Sequence, residues 1–208
     1  MFEPATLLAY VAIVLGFVFL PGRATLLTIA RATTSGTRVG VATGAGVAAG
    51  DVIHTFMAIV GLSAIIAASS LLFSLIKYAG AAYLIYLGIR AVLEKSPADL
   101  TARTLPMTAG KAFRQAILTE LLNPKTALFF LAFLPQFVHP ENGMVWLQLT
   151  ELGLIFVLLG LVATVVFALG AAGLGRFLRR NPTVLKWQGK VVGGIYCALG
   201  IRLALQDR

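Results

Sequence analysis

Leu121-Leu122-Asn123-Pro124-Lys125-Thr126-Ala127-Leu128-Phe129-Phe130 puts an amide, a proline and a lysine inside an apolar run, Ala112–Val138. A membrane-crossing helix needs about 20 apolar residues at about 1.5 Å rise each, and this run reaches that length. Proline removes a backbone hydrogen bond and clashes with the preceding turn, which costs about 3 kcal/mol in a helix interior. The run therefore reads as two half-helices joined at Asn123-Pro124. Irregular backbone at membrane depth survives only where it is buried in protein or lines a wet cavity. The first apolar run, Ala5–Ala30, carries a matching interruption at Pro21-Gly22. Amides freed at the start of a half-helix carry partial positive charge and suit a carboxylate.

The two interruptions belong to a wider internal likeness. Pro21 aligns with Pro124, and Leu26-Leu27 with Phe129-Phe130. Lys77-Tyr78-Ala79-Gly80 resembles Lys186-Trp187-Gln188-Gly189, and Leu87-Gly88-Ile89-Arg90 recurs as Leu199-Gly200-Ile201-Arg202. The matches keep their order and lie 103 to 112 positions apart. The polar stretch Glu94–Gly110, with Ser96-Pro97-Ala98-Asp99 inside it, separates the halves. The expected organisation is a first repeat over 1–93, a cytoplasmic linker over 94–110 and a second repeat over 111–208. Three spans per half force the second copy to insert upside down, and inverted repeats are a mark of secondary transporters.

Four further runs complete the pattern: Val39–Ala68, Leu71–Leu93, Met144–Gly175 and Val184–Leu205. The chain of 208 residues is 59% hydrophobic and only 12% charged, against about 25% charged residues in soluble domains. The expected fold class is an all-α integral membrane protein with about six transmembrane helices as two inverted three-helix repeats. Gly40, Gly44, Gly46 and Gly50 have the small-residue spacing that lets membrane helices approach closely.

The net charge of +9 is not a nucleic-acid signature, because the cations cluster in alternate connections. Arg31 and Arg38 follow the first run; Arg90, Lys95, Arg103, Lys111 and Arg114 surround the central linker; Arg176, Arg179, Arg180, Lys186 and Lys190 follow the fifth. Basic connections mark the cytoplasmic side, which fits six spans with both termini outside; Lys77, Arg202 and Arg208 fit this less well, and one re-entrant segment would move a terminus. Glu3 stands where a signal peptide would be basic, so a multi-pass protein of the bacterial inner membrane is expected.

Enzymatic readings find no support. Cys197 is the single cysteine, which excludes an internal disulfide. There is no Cys/His cluster with metal spacing, no Gly-Lys-Ser/Thr phosphate loop and no assignable Ser/His/acid set. No cofactor and no metal are expected.

The charges at depth carry the site. Asp51 and His54 lie one turn apart in the middle of the second run, where a charge costs about 2.5–3.5 kcal/mol on insertion scales. Asp51 is the first candidate for proton or amine handling. For His54 a neutral ring held by a backbone carbonyl is the expected state. Arg23 follows the first interruption, Glu120 precedes the second by one turn, and Lys125 follows it. Arg23 and Glu120 are expected to pair, or to divide a substrate's carboxylate and ammonium, with Lys125 as an alternative partner for the carboxylate. Pro21, Gly22, Asn123 and Pro124 would shape the backbone of the site. Tyr78, Tyr83, Tyr86, Trp146 and Trp187 are read as interface anchors or pocket walls.

The chain also resembles the LysE/RhtB family of amino-acid exporters along nearly its whole length. The resemblance rests on Pro21-Gly22 with Leu26-Leu27, on Gly36 and Gly40, on Gly46-Val47-Ala48-Ala49-Gly50-Asp51-Val52-Ile53-His54, and on Lys77 to Leu84 with Tyr86-Leu87-Gly88. It continues through Leu121 to Phe130 and Leu134-Pro135-Gln136-Phe137. The resemblance implies efflux of amino acids driven by the proton motive force. Members of the family usually read Pro-Gly-Pro followed by Asp or Asn at the first interruption, where Arg23 and Ala24 stand, and commonly carry asparagine at the place of Glu120. Both departures fall at the interruptions, as compensating changes would. The expected partners are a small amino-acid-like substrate, protons and the lipid bilayer, with a homo-oligomer left open and nucleic acid excluded. Two other readings are a cation or metal efflux protein of the same fold, with Asp51, Glu120 and Asn123 as oxygen ligands, and a membrane scaffold subunit without transport.

Overall fold

Both interrupted runs form pairs of helices, bent by nearly the same angle. In the computed structural model, which describes residues 2–19, 22–68, 70–93 and 105–205, α1 (Pro4–Phe19) and α2 (Arg23–Ser35) meet at 50°, and α5 (Ala109–Leu121) meets the segment Pro124–Phe137 at 47°. That segment starts as α6 (Pro124–Leu128), widens into a π-helical turn over Phe129–Phe133 and ends in a 3₁₀ turn over Leu134–Phe137. The other elements are α3 (Thr37–Ala68), α4 (Ser70–Leu93), α7 (Val145–Arg180) and α8 (Pro182–Leu205). No strand occurs among the described residues. The linker expected over 94–110 lies outside the described residues from 94 to 104.

Thr37–Ser63 and Val145–Leu174 are long and apolar enough to cross a membrane unaided, and counting each bent pair as one span brings the number among the described residues to four. The protein is thus an all-helical integral membrane protein. Among the described residues α8 adds a shorter apolar helix over Gly193–Leu205.

Glycine sets the distances between helices. A Cβ on Gly46 would fall 2.3 Å from the Phe113 carbonyl oxygen, and one on Gly50 would fall 2.7 Å from Glu120 Cβ, so α3 and α5 run side by side in the same direction with no room for a methyl group. Gly40 and Gly44 meet Ala168 and Thr164 of α7, while Gly153 of α7 meets Thr55, so α3 and α7 run antiparallel. The small-residue stripe read from the sequence is therefore a packing device. Gly36, with φ at +90°, makes the one-residue corner between α2 and α3, a backbone state that side chains avoid.

α4 and α8 also pack antiparallel, and their contacts are reciprocal. A Cβ on Gly88 would lie 2.5 Å from Cys197 Sγ and 2.7 Å from the Gly193 carbonyl oxygen; one on Gly200 would lie 2.8 Å from the Ala81 carbonyl oxygen and from Ile85 Cγ1. Gly88 and Gly200 are the matched glycines of the repeated Leu-Gly-Ile-Arg block. Each thus presses on the turn of its partner that corresponds to the turn pressing on it. The same correspondence appears between α3 and α7: Thr55 Oγ1 donates to the Asp51 carbonyl oxygen at 2.8 Å, and Thr164 Oγ1 donates to the Gly160 carbonyl oxygen at 3.0 Å.

Two contrasting regions hold the bent pairs together. On one side, Tyr10, Phe17, Phe129, Phe130, Phe133 and Phe156 build an aromatic cluster between α1, the π-helical turn and α7. At the far end of α2, Arg31 is 95% buried and donates to the Leu105 carbonyl oxygen at 2.9 Å and to Gln115 Oε1 at 2.8 Å. Ser35 Oγ accepts from the Met107 amide at 3.2 Å beside it. The C-terminal turns of α2 thus grip the chain entering α5.

Candidate functional site

The second bend builds most of the site from its own local chemistry. Pro124 has no N–H to lose at the first position of α6. Asn123 caps that helix, its Oδ1 accepting from the Lys125 amide at 3.1 Å. The Asn123 amide group then donates to Glu120 Oε1 at 3.1 Å and to Thr126 Oγ1 at 3.2 Å, and Thr126 Oγ1 donates to the same Glu120 oxygen. Glu120 is held by one oxygen, while its other oxygen, Oε2, is buried without a hydrogen-bond partner.

α3 braces the bend from behind. His54 Nε2 lies 3.0 Å from the Glu120 carbonyl oxygen, which can only accept, so the ring carries its proton there. Its other face stacks on Phe130, with centroids 5.7 Å apart and planes 16° apart. His54 has the role expected of it, a ring satisfied by a backbone carbonyl. One turn earlier, Asp51 lines the same cavity as Glu120, and its Oδ1 is also buried without a partner. Asp51 and Glu120 are each 98% buried.

The first bend contributes backbone more than side chains. Gly22 precedes α2 in an extended conformation and supplies no side-chain cap, so the first amides of α2 lack the local acceptor that Asn123 gives to α6. Lys125 spans the gap between the bends. Its Nζ donates to the Phe17 carbonyl oxygen in the last turn of α1 at 2.9 Å and sits 4.0 Å over the Phe17 ring. A cation at a helix C-terminus meets the negative end of the helix dipole. This bond joins the two interruptions.

Between them lies a half-open cavity of about 50 Å³. Asp51, Glu120, Asn123 and Lys125 give it charge and polarity, with Thr25, Thr126 and Thr164 around them. Phe17, Val18, Val47 and Phe156 form an apolar wall, and Gly22, Ala24 and Gly160 leave the space open. Gly160 stands opposite Asp51, where a Cβ would lie 3.4 Å from Asp51 Oδ2.

Of the residues singled out in the sequence, Gly22, Asp51, Glu120, Asn123 and Lys125 line this cavity. His54 and Pro124 support it from outside, and Pro21 lies outside the described residues. The expected pairing of Arg23 with Glu120 is not found: Arg23 is exposed, Glu120 is buried, and no ion pair joins them among the described residues. Arg23 opens α2 and does not line the cavity. Tyr78, Tyr83, Tyr86, Trp146 and Trp187 are all exposed, and the aromatic walls of the cavity are Phe17 and Phe156 instead. Thr126 was readable as the third residue of a helix starting at Asn-Pro. Thr164 was readable through the Asp51/Thr55 and Gly160/Thr164 correspondence. Nothing local marks Phe17 or Phe156.

The family model of the LysE type translocator matches residues 15–207. The chain is 34% identical over 209 residues to the membrane protein YrhP of Bacillus subtilis, covering 96% of this chain and 99% of the relative. It is 32% identical over 197 residues to an uncharacterized membrane protein of Vibrio cholerae, covering 95% of each. To the homoserine/homoserine lactone efflux protein of Salmonella typhimurium it is 32% identical over 184 residues, covering 88% of each. No solved structure matches. Matched over nearly its whole length and built as a multi-pass membrane bundle, the chain belongs to the LysE type translocator family.

Proposed function

We propose that this protein exports amino acids or related small zwitterionic or cationic metabolites across the bacterial inner membrane, driven by the proton motive force. The observation that carries this reading is the cavity where the two bent pairs meet, lined by two carboxyls and one ammonium at membrane depth. Ionisable groups there are costly and mark substrate or ion paths. A relative whose name states efflux of homoserine and its lactone supports a substrate of this size and chemistry. The carboxylate of a substrate would lie toward the uncapped start of α2 and Lys125, and its ammonium toward Asp51 and Glu120.

The six-span organisation with inverted repeats over 1–93 and 111–208 is part of this proposal. The reciprocal glycine contacts of the antiparallel α4 and α8 support it, as does the equal bending of the two broken pairs. In such a protein one repeat takes the conformation of the other to expose the cavity to the opposite face. The cation-efflux reading is weaker because Lys125 shares the cavity with the carboxyls.

Proteoliposomes loaded with labelled homoserine, threonine, lysine or leucine test the proposal. Loss of label should require the protein and a proton gradient of the exporting sense, and Asp51→Asn should abolish it. Equal retention with and without protein across a broad panel of amino acids and their lactones or esters would overturn export and favour a scaffold role.

A further inference from the structure

Two carboxyls and one amine share a single cavity, and their charges do not balance. With all three ionised the site carries one uncompensated negative charge at membrane depth, and an unpaired buried charge is strongly disfavoured. The geometry locates that imbalance. Glu120 Oε1 is satisfied by Asn123 and Thr126, but Glu120 Oε2 and Asp51 Oδ1 are buried without partners, and both carboxyls line the same cavity. Lys125 is anchored 2.9 Å from the Phe17 carbonyl oxygen, at the end of the other bent pair. The remaining titratable group nearby, His54 on α3, spends its Nε2 proton on the Glu120 carbonyl oxygen. α7 brings only Gly160, Thr164 and apolar groups to the cavity, and α2 only Ala24 and Thr25, so neither supplies a further charge.

We infer that Asp51 and Glu120 hold one proton between them in the empty protein, and that this pair is a cation subsite at which a substrate ammonium takes the place of that proton. Two adjacent carboxyls in a shared site do not ionise together, and one proton between them satisfies both orphan oxygens. An incoming ammonium offers three N–H donors to the same oxygens and brings the same charge. The exchange conserves charge: the O–H bond breaks, the proton leaves to water, and N–H···O contacts replace it. Proton and ammonium thus compete for one place, which would make the coupling of export to proton entry a property of this pair. The inference rests on the export reading above.

The probe is alanine methyl ester, which near pH 6 is a cation of about +1 with no free carboxylate. Calorimetric titration of the full-length protein in detergent, in two buffers of different ionisation enthalpy, counts protons exchanged on binding. About one proton should leave per ester bound, and the apparent affinity should rise about tenfold per pH unit while the pair holds its proton. Infrared difference spectra should lose a protonated-carboxyl C=O band on binding. Asp51→Asn and Glu120→Gln, near-isosteric and checked for unchanged thermal unfolding, should bind the ester more weakly, release no proton and lack the band. Binding without proton release, release undiminished in both variants, or no binding of the ester would each overturn the shared-proton site. Export from proteoliposomes with no proton release on binding sinks this inference alone, whereas failure of export sinks the functional reading itself.

Discussion

The two bent pairs share a backbone plan and differ in nearly everything else. Each breaks over at most four residues, and the bends differ by only a few degrees, 50° against 47°. At the second break, Glu120, Asn123, Lys125 and Thr126 close a network of side-chain hydrogen bonds. At the first, the aligned places of Glu120 and Lys125 hold Phe17 and Gly22, which offer a carbonyl oxygen, an aromatic face and an open helix start. On the long helices the difference repeats, with Asp51 on α3 facing Gly160 on α7. The lesson is that the two breaks share a bend and differ in side chains, so that the polar groups gather in one cavity instead of two. A charged group on both sides of every matched position would crowd the cavity and double the cost of burial.

Replacing the cross-break lysine attacks that arrangement most directly. Lys125→Gln removes the bond to the Phe17 carbonyl oxygen and leaves the Asp51 and Glu120 pair without its cation. Stability should fall by about 3–5 kcal/mol, the usual result of stripping one partner from buried charges, and export should vanish, as thermal unfolding in detergent and liposome efflux will measure. Next comes the tie at the other end of the first pair. Arg31→Ala severs the bonds to Leu105 and Gln115 and should cost about 2 kcal/mol. Hydrogen exchange should then rise in the first turns of α5; unchanged protection there would mean that the grip of α2 does not order that segment.

Removing the cap from the second break should have a smaller effect. Asn123→Ala uncaps α6 and strips one donor from Glu120, for about 1–2 kcal/mol, with efflux falling more than stability because the Glu120 carboxyl loses its orientation. Giving the first break a cap is the complementary experiment. Gly22→Ser has space, since a Cβ there meets Lys125 Cδ and Nζ at 3.6 Å. It should stabilise α2 by only a few tenths of a kcal/mol while reducing efflux, because its hydroxyl would occupy the helix start left for a carboxylate. Full efflux in Gly22→Ser would show that the open start of α2 takes no part in transport. Arg23→Ala should do least, within about 0.5 kcal/mol and with efflux unchanged, as expected of an exposed side chain outside the cavity.

Much of this molecule is legible along the chain because the signals are local. Apolar length marks the helices, proline and the Asn-Pro cap mark the breaks, and glycine spacing marks the faces that come close; each depends on atoms within a few residues. The depth of Asp51, Glu120 and Lys125 follows from their place in apolar runs. What the chain alone left open is which of those charges share a cavity. Arg23 and Lys125 are both cations within two residues of a break proline in sequence, yet one is exposed and the other reaches across to α1. Rotation about a bend and packing against helices more than a hundred residues away decide that, because side-chain direction after a broken helix is set by the groove the next half-helix fills and not by its neighbours in the chain.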